Sequence, residues 1–189
     1  MSSETVRSRR RGQELEDALY QATLAELVEV GYGRLTMEGV AARARTGKAA
    51  VYRRWSTRQA LVLDAVRHVM PPMADIDRER SARENLRAVF AKLCGVFAGE
   101  TDFPGLAVIT GLLGDETLRD TFVEAIVRPR LQVIESILAD AERAGEVAPG
   151  ALHPLAAHIG PAMIMHAFLL TGRGPSETDL TRIIDIVLP

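Results

Sequence analysis

The 189-residue sequence is poor in cysteine, aromatic residues and long apolar runs. Its one cysteine, Cys94, excludes a disulfide within the chain and most cysteine metal sites. No run reaches the roughly 18 apolar residues of a membrane span, and the polar, basic first residues are unlike a secretory signal. Aromatic residues make up only 5% while Ala and Leu are abundant, which favours helices over sheets. We therefore expect a soluble, cytoplasmic and helical protein.

Residue patterns for catalysis or metal binding are also lacking. No Ser-His-Asp arrangement and no phosphate-binding glycine loop stands out, so we expect no enzyme, no cofactor and no metal. None of the four histidines has a carboxylate or cysteine partner at the spacing of a metal site. A core or interface position is favoured for His68, His153, His158 and His166, with a pocket role as the alternative for His166. Cys94 lies on an apolar stripe, which favours a buried small side chain over a redox sensor.

Charge is unevenly distributed along the chain, although the net charge is only −2. Residues 1–67 hold 12 Lys and Arg against 8 Asp and Glu, a balance of +4. Residues 68–189 hold 11 against 17, a balance of −6. A basic front and an acidic remainder would direct one end of the molecule toward phosphate, so the front third is the candidate for nucleic-acid binding.

The stretch Thr36–Arg58 carries six basic residues and one acidic residue, Glu38. Its first residue can cap a short helix with apolar residues at helical spacing. Thr46 and Gly47 interrupt that spacing, and Gly47 would relax the backbone restriction of a tight turn. A second, basic helix is predicted from about Lys48. Two short helices joined by a tight turn are typical of a helix-turn-helix whose second helix enters the DNA major groove.

A third helix is expected before this pair, from about Gly12 to Val30, because apolar residues recur at spacings of three and four. Val51 and Trp55 lie four residues apart on the second helix of the pair, so both face the helix predicted over residues 12–30. Trp55 is therefore predicted to fill the core of a three-helix unit. Residues 1–8 and the arginines that follow form a basic arm, expected to be disordered without DNA. This arm is interpreted either as a solvated terminus or as a contact to phosphate or the minor groove.

These residues resemble the DNA-binding domain of the tetracycline-repressor (TetR) family, over about residues 12–67. The matching positions are Gly31, Tyr32, Thr36, Val40, Ala41, Ala44, Ala50, Val51, Tyr52, Trp55, Arg58 and Leu61. The chain departs from the family at Arg45, where Gly is usual, at Gly47, where Ser or Thr is frequent, and at Arg54, where His is frequent. The departures concern base preference rather than fold.

Cationic and small side chains on this motif are the candidates for DNA contact. Lys48 and Arg45 can reach a guanine edge, and Ala50 can touch a thymine methyl. By resemblance, Tyr52 donates its hydroxyl to a phosphate. The predicted DNA-binding residues are Thr36, Arg45, Lys48, Ala49, Ala50, Tyr52, Arg53, Arg54 and Arg58. One isolated arginine would be interpreted as a solvated charge, but six cations with no acid between Arg43 and Arg58 favour DNA contact.

Proline and glycine divide the rest of the chain into helices. A helix capped by Ser56 or Thr57 ends at Pro71-Pro72 and forms the only covalent strut to the larger domain. Pro129 lies inside a long helical segment, where we expect a kink or two helices. Further helices are expected from about residue 78 or 81 to 98, from 104 to 113, from 115 or 117 to 144, from 154 to 170 and from 177 to 188. The prediction is an all-α fold of about nine helices, with a helix-turn-helix domain at 9–56 and a helical effector-binding and dimerisation domain at 57–189.

The larger domain is predicted to bind an effector and to form the dimer. The resemblance implies an effector site, and its mostly apolar candidates indicate a hydrophobic or aromatic effector; the alternative is that they only form a core. The candidates are His68, Phe90, Cys94, Phe97, Ile109, Leu113, Phe122, Ile126, Met163 and His166. The last two helices are expected to pair with a symmetry mate in a four-helix interface. The candidates there are Ile159, Met163, Ala167, Leu170, Leu180, Ile183, Ile184 and Val187.

The predicted function is a sequence-specific, homodimeric transcriptional regulator of double-stranded DNA. It would be a repressor released from a palindromic operator by a small hydrophobic effector. Two alternatives stay open: an effector-independent helical DNA-binding protein, and a helical ligand-binding or catalytic protein that has lost DNA binding.

Overall fold

The computed structural model describes residues 2–72 and 76–189, with only the main chain described for residues 2–11. All regular elements in this part of the chain are helical. They are α1 (Ser2–Val30), α2 (Met37–Arg43), α3 (Lys48–Tyr52), α4 (Arg58–Val69), α5 (Ala82–Ala98), α6 (Leu106–Leu113), α7 (Glu116–Phe122), α8 (Arg128–Ala144), α9 (Ala156–Thr171) and α10 (Glu177–Val187). A π-helical turn, Val123–Val127, joins α7 to α8 without a break. If α7, the π-helical turn and α8 are counted as one helix, the described residues form nine helices, which confirms the all-α prediction.

The main chain packs into two compact units. One unit comprises Met1–Met70 and Ala107–Phe122, and the other comprises Pro71–Leu106 and Val123–Pro189. This division follows packing alone. The functional boundary between residues 56 and 57 stays a prediction.

The first unit is organised around Trp55, whose side chain is 6% exposed. Its indole Nε1 donates a hydrogen bond to Asp64 Oδ2 of α4 at 2.9 Å. Its ring meets Tyr20 of α1 edge to face, with 5.6 Å between centroids. Val40 of α2 and Val51 of α3 are fully buried in the same unit. The prediction that Trp55 fills the core rather than contacting DNA is confirmed.

Side-chain caps begin several helices where the sequence predicts them. The Thr36 hydroxyl accepts a hydrogen bond from the Gly39 N–H at 3.0 Å, and the Thr57 hydroxyl accepts one from the Ala60 N–H at 3.1 Å. Such caps satisfy amide groups that have no partner inside the helix, so they fix the start of α2 and α4.

The start of α1 differs from its prediction. The main chain of the helix begins at Ser2 rather than near Gly12. Only the main chain of residues 2–11 is described, so the expectation that the basic arm is disordered without DNA stays a prediction. No proline or glycine precedes Gly12, and arginine and glutamate are good helix formers, so nothing in this stretch stops the helix from extending. Met1 lies outside the described residues.

The turn between α2 and α3 differs in its detail. Arg45, not Gly47, adopts the left-handed conformation, with φ of 53°, whereas Gly47 has φ of −78°. The N–H of Thr46 donates to the Ala41 carbonyl at 2.9 Å, and the N–H of Arg45 donates to the Ala42 carbonyl at 3.0 Å. This pair of bonds closes a helix by placing the residue after its C-cap in the left-handed region. The prediction that Gly47 relaxes this turn is therefore wrong.

The second unit is built around α5, α8, α9 and α10. Its core holds Phe90 of α5, Ile137 of α8, Ile164 of α9 and Ile184 of α10, all 0 to 1% exposed. Gly160 of α9 lies directly against the Phe90 ring. A methyl group at Gly160 would stand 2.6 Å from Phe90 Cε2 and 2.8 Å from Cε1. The absence of a side chain at Gly160 therefore sets how closely α9 packs on α5.

The long segment that contains Pro129 is interrupted as predicted. Proline carries no N–H, so one hydrogen bond of the helix is missing, and the π-helical turn directly precedes this position. Arg130 adds support nearby: its guanidinium donates to the Ile126 carbonyl at 2.9 Å and to the Pro71 carbonyl at 3.1 Å. Burial lowers the pKa of Arg130.

One predicted interface is overturned. Leu180, Ile183, Ile184 and Val187 of α10 are 0 to 4% exposed, because they pack into the core of their own subunit with α5 and α9. The prediction that these four side chains meet a second subunit is wrong. An apolar stripe on a helix has the same sequence pattern whether it covers its own core or a partner.

Candidate nucleic-acid interface

The turn and α3 present three exposed cations. Arg45 lies in the turn, Lys48 begins α3 and Arg53 follows its end. Within the described part of the chain, none of the three side chains makes a hydrogen bond or an ion pair, and each is free to meet a phosphate or a base edge. Because cations dominate the affinity of proteins for duplex DNA, this surface is the candidate interface.

The other cations of the motif are used within the protein. Arg43 pairs with Glu26 at 2.8 Å and with Glu29, which ties α2 to α1. Arg54 donates to the Ala50 carbonyl at 3.0 Å and so supports the end of α3.

Arg58 is partly buried and packs rather than projects. Its guanidinium lies 4.1 Å above the centre of the Tyr32 ring and donates to the Leu35 carbonyl at 2.9 Å. Stacking on an aromatic face and a main-chain bond both hold it in the domain. The structure favours a packing role for Arg58 over the predicted phosphate contact.

The two alanines of α3 face opposite ways. Ala49 is exposed, and its close approach to a groove stays a prediction. Ala50 is buried beside Val51, so the prediction that its methyl group touches a thymine is wrong. Ala50 instead belongs to the buried side of α3.

Tyr52 is 49% exposed at the end of α3, but its hydroxyl already has a partner. It donates to Glu38 Oε1 of α2 at 3.1 Å. The hydrogen bond to this carboxylate raises the pKa of Tyr52. In the sequence Glu38 stands out only as the single acid of the motif, and it lies 14 residues from Tyr52, so their hydrogen bond could not be predicted.

Among the effector candidates of the first unit, Ile109 and Phe122 are buried, whereas Leu113 is exposed. His68 is exposed as well: its ring stacks on Tyr20 with 4.5 Å between centroids, and its Nε2 lies 3.2 Å from Asp17 Oδ1. A core position is therefore excluded for His68, and an interface position stays a prediction. His153, His158 and His166 are exposed too, which also excludes the core for them.

In the second unit the effector candidates separate into inner and outer residues. Phe90 and Ile126 are buried, and Cys94 and Phe97 pack against the core as partly buried side chains. Burial raises the pKa of the Cys94 thiol, and Glu177 and Glu100 add to the effect, so this thiol is kept protonated. The last two candidates, Met163 and His166, lie on the opposite, exposed side of α9.

That exposed side of α9 is largely apolar. Its members are Leu155, His158, Ala162, Met163, His166, Leu169 and Leu170, which we call the outer face of α9. Leu170 is 72% exposed and Met163 is 40% exposed, whereas Ile159 and Ala167 are partly buried at its edge. Ile186 of α10 is also exposed, at 55%. Leu155, Leu169 and Ile186 were not among the sequence candidates. For Leu155 and Leu169 the signal was present, because a helix that is apolar on all sides leaves at least one side uncovered by its own core.

Two family models match this chain. One, described as "Bacterial regulatory proteins, tetR family", matches residues 19–65. The other, described as "Tetracyclin repressor-like, C-terminal domain", matches residues 76–187, which is more than half of the chain. The chain belongs to the TetR family. The resemblance drawn from the helix-turn-helix residues is confirmed, and with it the function of a DNA-binding transcriptional regulator.

Curated relatives of this TetR-family chain are also regulators. It is 30% identical over 184 residues to the "DNA-binding transcriptional repressor TetR" of Mycobacteroides abscessus, with 94% of each chain covered. It is 29% identical over 175 residues to an uncharacterized HTH-type transcriptional regulator of Mycobacterium tuberculosis, with 92% of this chain and 86% of the relative covered.

Solved structures share the fold of this TetR-family protein. The transcriptional regulator FadR from Bacillus subtilis, in complex with stearoyl-CoA, has a TM-score of 0.69 at 19% identity, with 90% of this chain and 94% of that chain covered. AibR, in complex with isovaleryl coenzyme A and operator DNA, has a TM-score of 0.63 at 19% identity, with 93% and 98% covered. In the described residues of this protein, no helix has the length and hydropathy of a membrane span, and no group of His, Cys, Asp and Glu could hold a metal ion.

Proposed function

We propose that this TetR-family protein binds a palindromic operator as a homodimer and represses transcription until a small hydrophobic effector releases it. In this proposal residues 9–56 bind DNA and residues 57–189 bind the effector and the second subunit. The DNA contacts come from Arg45, Lys48, Ala49, Tyr52 and Arg53, with Thr36 and Arg54 at the phosphate edge.

The observation that carries the proposal is the set of three cations without partners at the turn and α3. An arginine in an ion pair must give up that pair to meet a phosphate, whereas Arg45, Lys48 and Arg53 lose only water. Lys48 lies at the first position of α3, where the side chains of a recognition helix reach base edges. A dimer would present two such helices to half-sites about 34–36 Å apart.

Selection of bound duplexes from a random pool tests the DNA site. We expect a palindrome, bound with an affinity that falls steeply as salt rises. Lys48→Ala should shift the preferred sequence, at a cost of about 1–3 kcal/mol per lost base contact. Arg67→Ala, which removes an exposed cation of α4, is the matched control and should leave the preference unchanged. A Lys48→Ala variant with the affinity and preference of the wild type would refute the assignment of α3 as the reading helix.

The second subunit is assigned to the outer face of α9 together with Ile186. Large exposed apolar side chains in contiguous positions mark association surfaces, and α10 has no other apolar face to offer. Ile159 and Ala167 flank this surface and would be covered at its edge. The homodimer is thus proposed through residues that differ in part from those that the sequence suggested.

Oligomeric state tests this surface. In analytical ultracentrifugation the wild type should sediment as a dimer, and Leu170→Glu should dissociate it because a charge would be buried in an apolar contact. Val28→Glu, which places the same charge at an exposed apolar position of α1, should leave the dimer intact. A monomeric wild type, or a dimeric Leu170→Glu variant, would contradict the assignment.

The effector is proposed to be apolar, because most candidate residues, among them Phe90, Phe97 and Ile126, are apolar. FadR and AibR were crystallised with acyl-CoA thioesters, so stearoyl-CoA and isovaleryl-CoA are suitable first probes, with free coenzyme A as the control. An effector should raise the apparent Kd for the operator and bind less tightly when the operator is present, since the coupling is reciprocal. Operator affinity that no apolar compound changes would favour the effector-independent alternative.

A further inference from the structure

Glu38 is the only acidic residue between Thr36 and Arg58, and it contacts a residue assigned to DNA. The Tyr52 hydroxyl donates its hydrogen bond to Glu38 Oε1 at 3.1 Å. Both side chains are exposed, so this contact lies on the surface that a duplex would meet.

The contact creates a conflict with DNA binding. A phenol has a single proton to donate, and a carboxylate and a phosphate are both acceptors at neutral pH. Tyr52 therefore cannot donate to Glu38 and to a phosphate at the same time. A phosphate placed next to Tyr52 would also be repelled by the negative charge of Glu38.

A purely structural role explains this pair poorly. The α2–α3 corner is already held by the main-chain bonds of Thr46 and Arg45 and by the buried side chains Val40 and Val51. Hydrogen bonds and ion pairs between exposed side chains contribute little to stability. An uncharged glutamine could accept the same bond, so the charge itself is what distinguishes Glu38.

We propose that Glu38 attenuates DNA binding by competing with a backbone phosphate for the Tyr52 hydroxyl. This inference rests on the proposed function, because it needs the α3 surface to meet DNA. Glu38 acts as a positioning residue: it holds Tyr52 in the free protein and must be displaced when DNA binds. Because the competition concerns a phosphate contact, it weakens binding to operator and unrelated duplexes by a similar factor.

Attenuation suits a repressor that has to be released. An effector changes the affinity of an allosteric protein by a limited factor, roughly 5- to 150-fold. If the effector-free protein binds its operator less tightly, a coupling of that size is enough to release the protein from the operator. Glu38 would thus set the operator affinity within the range that effector binding can control.

The test compares Glu38→Gln with wild type for two fluorescently labelled duplexes, the selected palindrome and a scrambled sequence of equal composition. Glutamine can still accept from Tyr52, but it competes less well than a carboxylate and does not repel phosphate. Fluorescence anisotropy at several salt concentrations should show binding to both duplexes tightened about fivefold. Glu116→Gln, the same charge change on α7, is the matched control and should change either affinity less than about twofold.

A double-mutant cycle with Tyr52→Phe separates competition for the hydroxyl from general repulsion. In the Tyr52→Phe background no proton is contested, so Glu38→Gln should tighten binding less than about twofold. An equal gain in both backgrounds would overturn the proposal, and so would a Glu38→Gln variant no tighter than Glu116→Gln. If wild type bound neither duplex in a salt-dependent way, the proposed function would fail, and this inference with it. Circular dichroism should show every variant folded, since the substituted side chains are exposed.

Discussion

Gly160→Ala should destabilise the protein although alanine is the better helix former. The added methyl group would stand 2.6 and 2.8 Å from two ring carbons of Phe90, which is fully buried. The methyl group would lie still closer to Phe90 Cζ. Ordinary contacts between carbon atoms are about 3.5–4.0 Å, so ring and helix must separate by more than about 1 Å. A close-packed core has no free volume to accept that shift.

The magnitude follows from two opposing effects. Overpacking costs about 1–3 kcal/mol, and a displacement of this size in a closed core lies near the upper end. Replacing glycine by alanine inside a helix gains up to about 1 kcal/mol. We therefore expect a net loss of about 2 kcal/mol in the free energy of unfolding. For a chain of this length the melting temperature should fall by about 4–8 °C.

Urea unfolding followed by circular dichroism measures this loss. Gly12→Ala is the matched control, because a methyl group at Gly12 of α1 meets nothing within 4 Å. That substitution should stabilise by about 0.5–1 kcal/mol. A Phe90→Leu background should reduce the cost of Gly160→Ala, because the smaller side chain no longer occupies the contested space. A Gly160→Ala protein as stable as wild type would refute the packing argument.

Three further predictions concern single side chains. Arg45→Gly should raise the free energy of unfolding by about 1 kcal/mol in urea titrations, since φ of 53° strains any residue except glycine, while DNA affinity falls with the lost cation. Burial and the carboxylates Glu16 and Asp64 raise the pKa of Tyr20 above that of an unfolded tyrosine. The protonated phenol therefore stabilises the folded state fully below a pH of about 10, and this stabilisation is progressively lost at higher pH. The melting temperature between pH 8 and 11 should therefore fall less in Tyr20→Phe than in wild type. Arg130→Leu should lower the free energy of unfolding by about 1–3 kcal/mol, because the Ile126 and Pro71 carbonyls lose a charged donor, and Arg130→Lys should recover part of this loss.

Local signals accounted for most helix boundaries. Thr36 and Thr57 cap their helices through bonds to residues three positions away, and Gly99 and Gly145 end theirs in the left-handed conformation. Such signals depend only on neighbouring residues, so they can be found in the sequence. The left-handed conformation of Arg45 was not predicted, because glycine is the usual residue at such a position and this chain has arginine there. The main-chain bonds that close α2 nevertheless require that conformation.

Contacts distant in the sequence could not be predicted in this way. The run of cations was visible, but the partner of each was not: Arg43 meets Glu26, 17 residues away, and Arg58 meets the Leu35 carbonyl, 23 residues away. The sequence around a basic residue is the same whether its side chain bonds within the domain or projects into solvent. Only the fold separates Arg45, Lys48 and Arg53, which have no partner among the described residues, from the three cations whose side chains bond within the protein.

The same ambiguity governs the proposed subunit surface, for which α9 offers more large exposed apolar side chains than α10. The apolar stripe of α10 is used in the core, where Ile183 and Ile184 are buried, and of its large apolar side chains only Ile186 stays exposed. α9 is apolar on both sides, so its inner face, with Gly160 against Phe90, can be buried while its outer face stays exposed. An apolar surface that remains after the core is complete can lower its free energy only by association. The helix with more apolar surface than its own subunit can cover is therefore the one to test for dimerisation.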